Sequence, residues 1–224
     1  MRATFLLVAT LVPMAASSGQ TVSVDVVVAV PKQSTRFSGV TERVDGSWLG
    51  GAVELETGRV RLSVSGMRGR LTASDPGGQP ERDVGEVLLD GKYGVRPWLG
   101  LELRFAARAF SSAAGYQRWD LVGVGVTASR DLGTPAVRGF ASLLYFPMVS
   151  VSHQERPSLA LGSDVGIAVT ASKLPLAVTL SYRIERFSFP GADARSDQLE
   201  ALTLSVGVRA RRHAGRWTLG GAGQ

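Results

Sequence analysis

The stretch "RPWLGLELRFAARAF", residues 96–110, alternates strictly between two kinds of side chain. One parity carries Leu99, Leu101, Leu103, Phe105 and Ala107, and the other carries Gly100, Glu102, Arg104, Ala106 and Arg108. Because successive side chains of a β-strand point to opposite faces, we predict a strand with one aliphatic and one charged face. The alternation does not say which face points inward. A soluble barrel encloses its aliphatic face, whereas a membrane barrel turns that face towards lipid.

Similar period-two segments recur along nearly the whole chain. They cover residues 21–30, 47–56, 59–66, 85–96, 99–110, 120–129, 137–146, 159–171, 176–186 and 202–210, of which 137–146 is the least regular. We find no segment of helical period of useful length. The sequence of 224 residues therefore predicts one all-β domain, a single up-and-down antiparallel transmembrane β-barrel of about ten strands, with eight as the alternative count.

The connections between these segments alternate in length. Short ones fall at residues 57–58, 97–98, 131–135 and 173–175, and longer ones at 74–83, 111–116, 150–158 and 190–197. Glycine and proline supply the turn geometry in the short connections. The alternation predicts a meander with tight turns at one end of a barrel and longer loops at the other end.

The N-terminus has the pattern of an export signal. A basic start, Met1-Arg2, is followed by an apolar run over residues 3–12 and then by "PMAASSGQ", residues 13–20. The run is too short to cross a bilayer as a helix, and small residues follow it, as in a secretory signal peptide. We predict a signal peptide over residues 1–19, cleaved between Ala16 and Gln20. The barrel domain is predicted over 20–212 and a C-terminal tail over 213–224.

The charged parity of the strands is nearly neutral, with seven acidic and eight basic side chains. An enclosed interior favours such a balance, because an unpaired buried charge is costly. The same parity is rich in glycine, alanine, serine and threonine, which leave room for long side chains inside a small barrel. We predict that an interior charge network includes Glu86, Asp90, Lys92, Arg96, Glu102, Arg104, Arg108, Asp164, Arg183 and Glu185.

Aromatic residues fall near several strand ends. They are Trp48, Trp98, Trp119, Tyr145, Phe146, Phe187 and Phe189. Aromatic girdles of membrane barrels lie at the two membrane–water interfaces, so we predict this role for them. Together with the export signal, these patterns favour the arrangement in which the aliphatic face meets lipid.

The signal peptide, the meander and the polar interior together resemble the small bacterial outer-membrane β-barrels, the group with OmpX-like and OmpW-like proteins. The resemblance covers most of the mature chain and is one of pattern, without a residue-specific motif. It implies a bacterial outer-membrane location, contact with outer-membrane lipids and insertion by the barrel assembly machinery. One departure is the C-terminus: such barrels usually end in an aromatic residue, whereas this chain ends "RWTLGGAGQ", residues 216–224.

The sequence offers little for catalysis or cofactor binding. It contains no cysteine and two histidines, and His153 and His213 lie far apart, so we expect no metal site and no cofactor. A surface protease would need His153 with Asp83 and either Asp193 or Asp197, a weak constellation without further motifs. We therefore expect a protein that is not an enzyme.

The net charge of +6 raises the question of nucleic acid as a partner. Export argues against it, as does the absence of a basic stripe interleaved with stacking aromatics. The basic run "RARRHAGR", residues 209–216, is interpreted as a solvated end near lipid head groups.

Two interpretations of the charged interior remain open at this stage. It either forms a narrow pore for ions or small solutes, or it fills a plugged structural barrel with an ion-pair network. In both cases we expect a monomer. The alternative class is a secreted, lipocalin-like soluble barrel that holds an apolar ligand against an inward aliphatic face.

Overall fold

The computed structural model is a β-structure throughout its described part, residues 19–74, 81–113, 115–152, 154–171, 174–191, 195–213 and 216–219, with side chains described up to residue 211. The strands are β1 (Thr21–Phe37), β2 (Val40–Thr57), β3 (Val60–Ala73), β4 (Arg82–Arg96), β5 (Leu99–Ser112), β6 (Gly115–Leu132), β7 (Thr134–Val151), β8 (Leu159–Thr170), β9 (Leu176–Ser188), β10 (Ser196–His213) and β11 (Arg216–Leu219). None of the described residues belongs to a helix long and apolar enough to cross a bilayer.

The sheet is a closed meander of ten antiparallel strands. Each strand from β1 to β10 pairs with the next, and β10 also pairs with β1 from Arg36↔Ser196 to Thr21↔Arg211. The prediction of ten strands is confirmed, and the alternative of eight is wrong. The predicted signal peptide lies almost entirely outside the described residues. Within the predicted tail, β11 pairs with residues 210–213 at the end of β10.

The aliphatic parity points away from the barrel axis. Leu101 and Val124 are 54% and 45% exposed, whereas Glu102 and Arg104 are only 3% and 5% exposed. A band of exposed valine, leucine and isoleucine continues over the outer face of the strands, for example at Val26, Leu62, Leu89, Ile167, Leu180 and Leu204. This is the arrangement of a transmembrane β-barrel. The alternative of a lipocalin-like calyx is wrong, because that fold would place the aliphatic face inside.

One end of the barrel holds the start of β1, the end of β10 and the turns at residues 58–59, 97–98 and 133, and we name it the terminus end. The other connections between strands lie at the opposite end, which we name the loop end. At the loop end β1 and β2 are joined by Ser38 and Gly39, whose φ angles are 47° and 81°. Two positive φ angles in a two-residue hairpin match the right-handed twist of the flanking strands. The predicted longer loop at 111–116 is also a tight connection, because β5 continues to Ser112 and β6 begins at Gly115.

Several strands are longer than their sequence patterns predict. The pattern of β1 ends at Val30, but the strand continues to Phe37 and carries outward Lys32 and Arg36. Strand β10 likewise extends beyond its aliphatic segment in both directions, to Ser196 and His213. Beyond the lipid-facing band an outward side chain meets water or head groups, so the apolar alternation stops before the strand does.

Strand β7 is irregular because of a bulge at Pro147. Its register with β6 shifts between Val122↔Met148 and Val124↔Tyr145, so that two residues of β7, Phe146 and Pro147, oppose one residue of β6. A proline cannot donate to the ladder and is tolerated at such bulges. On the other side, the described ladder between β7 and β8 ends at the pair Tyr145↔Leu161. The irregular pattern of residues 137–146 precedes the bulge and has another cause, because the inward parity there also carries apolar side chains, Leu144 and Phe146.

Candidate functional site: the barrel interior

Arg104, on β5, is the centre of the first group of interior charges, which we name the Arg104 cluster. Its Nε lies 2.6 Å from Asp90 Oδ1, and its Nη2 lies 3.0 Å from Glu102 Oε1 and 2.8 Å from Asp164 Oδ2. Lys92 Nζ approaches Glu102 Oε2 at 3.4 Å. Asp164 belongs to β8, three strands away from β5, so this contact crosses the interior rather than following the wall.

A second group, the cross-barrel cluster, consists of Glu86, Arg108, Arg183 and Glu185, all buried. Arg183 Nη2 on β9 lies 2.7 Å from Glu86 Oε1 on β4. Strands β4 and β9 are five strands apart in either direction round the ten-strand barrel, so this pair joins opposite walls. Arg108 donates to both carboxylates, from Nε to Glu86 Oε2 at 2.7 Å and from Nη2 to Glu185 Oε2 at 2.8 Å. Two cations and two anions therefore neutralise one another.

The interior on the loop side of the cross-barrel cluster is dominated by aromatic rings, with the buried polar side chains of Gln33 and Asp197 beside them. We name Trp119, Phe146, Phe187 and Phe189 the aromatic plug. The ring centroids of Trp119 and Phe187 are 5.0 Å apart, those of Trp119 and Phe189 6.1 Å, and those of Phe146 and Phe187 6.2 Å. Tilted and edge-on pairs at these distances are favourable. The guanidinium carbon of Arg195 lies 5.2 Å from the centre of the Phe189 ring.

The prediction of an interfacial girdle is wrong for five of the seven aromatic residues. Trp48 and the four residues of the aromatic plug are at most 8% exposed and lie inside the barrel. Trp98 and Tyr145 are 57% and 48% exposed and do lie on the outer surface. Trp48, Trp119, Phe146 and Phe187 lie on the inward parity of their strands, so their position follows from the pleat rather than from their closeness to a strand end. Phe189 directly follows β9.

Glycines on the inward parity make room for these rings. A Cβ atom built on Gly123 would lie 2.8 Å from Phe146 Cδ1, and one on Gly162 would lie 2.9 Å from Phe146 Cε2. A Cβ on Gly69 would lie 2.5 Å from Trp48 Cδ1 and even closer to the Ser47 carbonyl oxygen, so both the ring and the neighbouring strand approach this glycine. The small inward residues therefore make room for aromatic rings as well as for charged side chains.

At the terminus end the interior is polar and less tightly filled. Arg61 on β3 lies 3.4 Å from Glu54 and 3.3 Å from Glu56, and its side chain is 35% exposed. Arg209 Nη1 lies 3.3 Å from Thr170 Oγ1. Water therefore enters the barrel from the terminus end and meets the charged clusters before the aromatic plug.

The structure brings nine of the ten residues predicted for the charge network into the two clusters, Arg104 with Asp90, Lys92, Glu102 and Asp164, and Arg108 with Glu86, Arg183 and Glu185. Arg96 is not among them, because it lies exposed at the end of β4, where the register with β5 shifts between Gly94 and Arg96.

The residues considered for catalysis do not form a described site. His153 and Asp193 lie outside the described residues, as does the side chain of His213. Asp83 pairs with Arg70 at 3.1 Å and Asp197 pairs with Arg195 at 2.7 Å. In the described part of the chain, no group of histidine and carboxylate residues is suited to hold a metal ion.

The lipid-facing band and the buried charges together identify the architecture. The fold is that of the small outer-membrane β-barrels.

No protein-family model and no curated protein matches the sequence. Solved structures with a similar arrangement include Neisserial surface protein A, at 13% identity over 84% of this chain and 96% of that chain, with a TM-score of 0.40. The translocator domain of the autotransporter NalP from Neisseria meningitidis has 12% identity over 84% of this chain and 88% of that one, with a TM-score of 0.45.

An anion-selective porin from Comamonas acidovorans is also similar, at 13% identity and a TM-score of 0.36. The likeness covers 75% of this chain and 55% of the porin. No residue role and no activity of this chain follows from these three likenesses.

Proposed function

We propose that this chain is an integral protein of a bacterial outer membrane whose lumen is closed, so that it serves a structural role rather than conducting solutes. The observation that carries the proposal is the ion pair between Arg183 and Glu86, which joins opposite walls of the barrel at 2.7 Å. The bridge crosses the barrel axis, and Arg108 and Glu185 beside it are also at most 2% exposed, so the side chains together close the interior at this level.

The closure has two layers of different chemistry. An ion that enters from the terminus end would first have to displace one of the paired carboxylates or guanidiniums of the two clusters, leaving an uncompensated buried charge. It would then have to pass between the packed rings of Trp119 and Phe187, where it would lose most of its hydration shell. Each layer is a barrier by itself, and together they favour the plugged interpretation over the narrow pore.

The outer surface supports lipid as the principal partner. The apolar band recurs on the strands round the barrel, and charged side chains such as Lys32, Arg68 and Arg118 lie towards the loop end. We propose that the chain is a monomer, that it is inserted by the barrel assembly machinery, and that it binds no nucleic acid. Cross-linking in membranes tests the monomeric state of the folded protein, and electrophoretic mobility shift with DNA tests whether it binds nucleic acid.

The decisive experiment is conductance in planar bilayers. The wild-type protein, shown to be folded by heat-modifiable gel mobility, is expected to give no steady channel. Simultaneous replacement of Arg104, Arg108, Arg183, Trp119 and Phe187 by alanine removes the cations of both clusters and the centre of the aromatic plug. Such a variant, with its folding verified by the same mobility assay, is expected to produce a channel. Steady channels from the wild-type protein would support the narrow pore instead, and Arg104→Ala should then alter their ion selectivity.

We also propose that the protein is not an enzyme. The proposal is supported by Asp83 and Asp197, each of which is neutralised by an arginine rather than left free to act on a substrate. Incubation of the folded protein in outer-membrane lipid with a mixture of peptides is expected to leave all of them intact. Cleavage that disappears in a His153→Ala variant would contradict this.

A further inference from the structure

A groove of about 550 Å³ lies on the outer wall of the barrel beside the bulge in β7. Leu89, Phe105, Val122 and Met148 form a continuous row across its outward side, because they are successive register partners on β4, β5, β6 and β7. The volume lies within the range of ~300–1,000 Å³ that is typical of ligand pockets. The groove is therefore large enough to hold part of a ligand rather than a single solvent molecule.

The bulge at Pro147 contributes to the groove in two ways. It lets β7 separate from β8 beyond the pair Tyr145↔Leu161, so that residues 146–151 have a described ladder only with β6. It also brings Met148, 65% exposed, onto the outer surface next to Tyr145. The separation leaves a seam between β7 and β8, at the edge of the lipid-facing band that is nearer the loop end.

The rim of the groove is charged at its loop end only. Arg156, on the connection between β7 and β8, lines the groove and is exposed. Among the described residues it has no salt-bridge partner. The carboxylate of Asp120, which also lines the groove, is already paired with Arg118 at 2.9 Å. The rim therefore presents a cation above an apolar trough, the complement of a phosphate attached to an acyl chain.

We propose that this groove is a specific binding site for one membrane lipid with an anionic phosphate head group. One acyl chain lies along Leu89, Phe105, Val122 and Met148, and the phosphate accepts hydrogen bonds from Arg156. The lipid comes from the surrounding leaflet, because the groove opens on the face that the membrane already covers. The proposal goes beyond the closed lumen and does not depend on it.

The test uses the full folded protein in detergent, titrated with dimyristoyl phosphatidylglycerol or dimyristoyl phosphatidylcholine and followed by native mass spectrometry. We expect one phosphatidylglycerol molecule to bind more tightly than those that follow. Phosphatidylcholine has the same phosphate but also a trimethylammonium group, so its head group has no net charge and is attracted less strongly by Arg156. We expect about a fivefold weaker first site for phosphatidylcholine, and a similar loss for phosphatidylglycerol on the Arg156→Ala variant. Arg36→Ala, at the loop end of β1, is the matched control and should retain the wild-type preference.

A second pair of variants tests the apolar part of the site. Ala107 lines the groove, so Ala107→Trp should fill it and weaken binding of both lipids, whereas Ala128→Trp places the same side chain on the outer face of β6 away from the groove. Equal binding of both lipids to the wild-type protein would overturn the proposal, as would identical titrations of the two tryptophan variants. Heat-modifiable mobility verifies folding in each case, and channel conductance is measured separately, so that a failure here leaves the closed-lumen proposal standing.

Discussion

Arg108 on β5 donates a hydrogen bond to Glu185 on β9 across the interior, with 2.8 Å between Nη2 and Oε2. The two strands share no ladder, because β6, β7 and β8 lie between them on one side. The same guanidinium donates from Nε to Glu86 on the neighbouring strand β4. One buried side chain thus connects three strands, and this connection makes the interior a structural element rather than a passage.

Removal of Arg108 should therefore destabilise the barrel strongly. In the Arg108→Ala variant Glu185 keeps only the 3.9 Å approach of Arg183 Nε, so a buried carboxylate loses its closest partner. Breaking a buried ion pair by deletion of one partner costs about 3–5 kcal/mol of the free energy of unfolding. Urea titration of the protein in lipid vesicles measures this loss. Arg118→Ala, which breaks an exposed pair with Asp120, is the control, and an equally large loss there would contradict the structural role of the interior pairs.

The packing of Phe146 against two glycines gives a second prediction. Gly162→Ala places a methyl group 2.9 Å from Phe146 Cε2, and overpacking of this kind costs about 1–3 kcal/mol of stability. The added Phe146→Leu substitution should lower that cost, because the ring that causes the clash is gone. A double-mutant cycle on the urea midpoints measures the coupling.

Gly66→Ala is the matched control for this cycle, since a Cβ on Gly66 meets no atom within 4 Å. It should leave stability nearly unchanged. A cost for Gly162→Ala that Phe146→Leu does not reduce would show that the ring does not occupy the interior position described for it.

Much of the architecture could be predicted from the sequence, because the period-two pattern is set by the membrane itself. Lipid requires an apolar side chain at every second position of a strand inside the band, so Leu101 and Leu103 identify both the strand and its outward face. The same reasoning placed Glu102 and Arg104 in the interior. The ion-pair partner of each interior charge could not be predicted from the sequence. The contact between Arg183 and Glu86, for example, depends on which strands face one another across the closed barrel.

The aromatic plug was missed, although the sequence contains a signal for it. Phe187 and Phe189 have the parity of Glu185, and Trp119 has the parity of Gly123, so the alternation alone indicates that these rings point inward. Their closeness to strand ends suggested an interfacial girdle instead. The strand ends also differ from the pattern, since β6 begins before Trp119 and β9 continues to Ser188, just before Phe189, beyond the lipid-facing band.

The outward face should tolerate charge only near its edges. Val124→Arg introduces a guanidinium into the lipid-facing band and should cost about 2–4 kcal/mol in vesicles, whereas Val95→Arg, at the end of β4, should cost about 0–1 kcal/mol. Both residues are exposed on the outer surface, at 45% and 44%, so the comparison holds exposure constant. Equal costs, measured by urea unfolding in vesicles, would mean that Val124 does not face hydrocarbon.

The most direct test of the account is the water accessibility of single cysteines, which the cysteine-free sequence allows without background. Ser63→Cys probes the terminus half of the interior, Ala201→Cys the buried loop half, and Leu204→Cys the outward face. In lipid vesicles open to reagent on both sides, a water-soluble maleimide should label Ser63→Cys and leave the other two unlabelled until the protein is unfolded. Rapid labelling of Ala201→Cys would show an open lumen, and labelling of Leu204→Cys with protection of Ser63→Cys would contradict the assignment of the two faces.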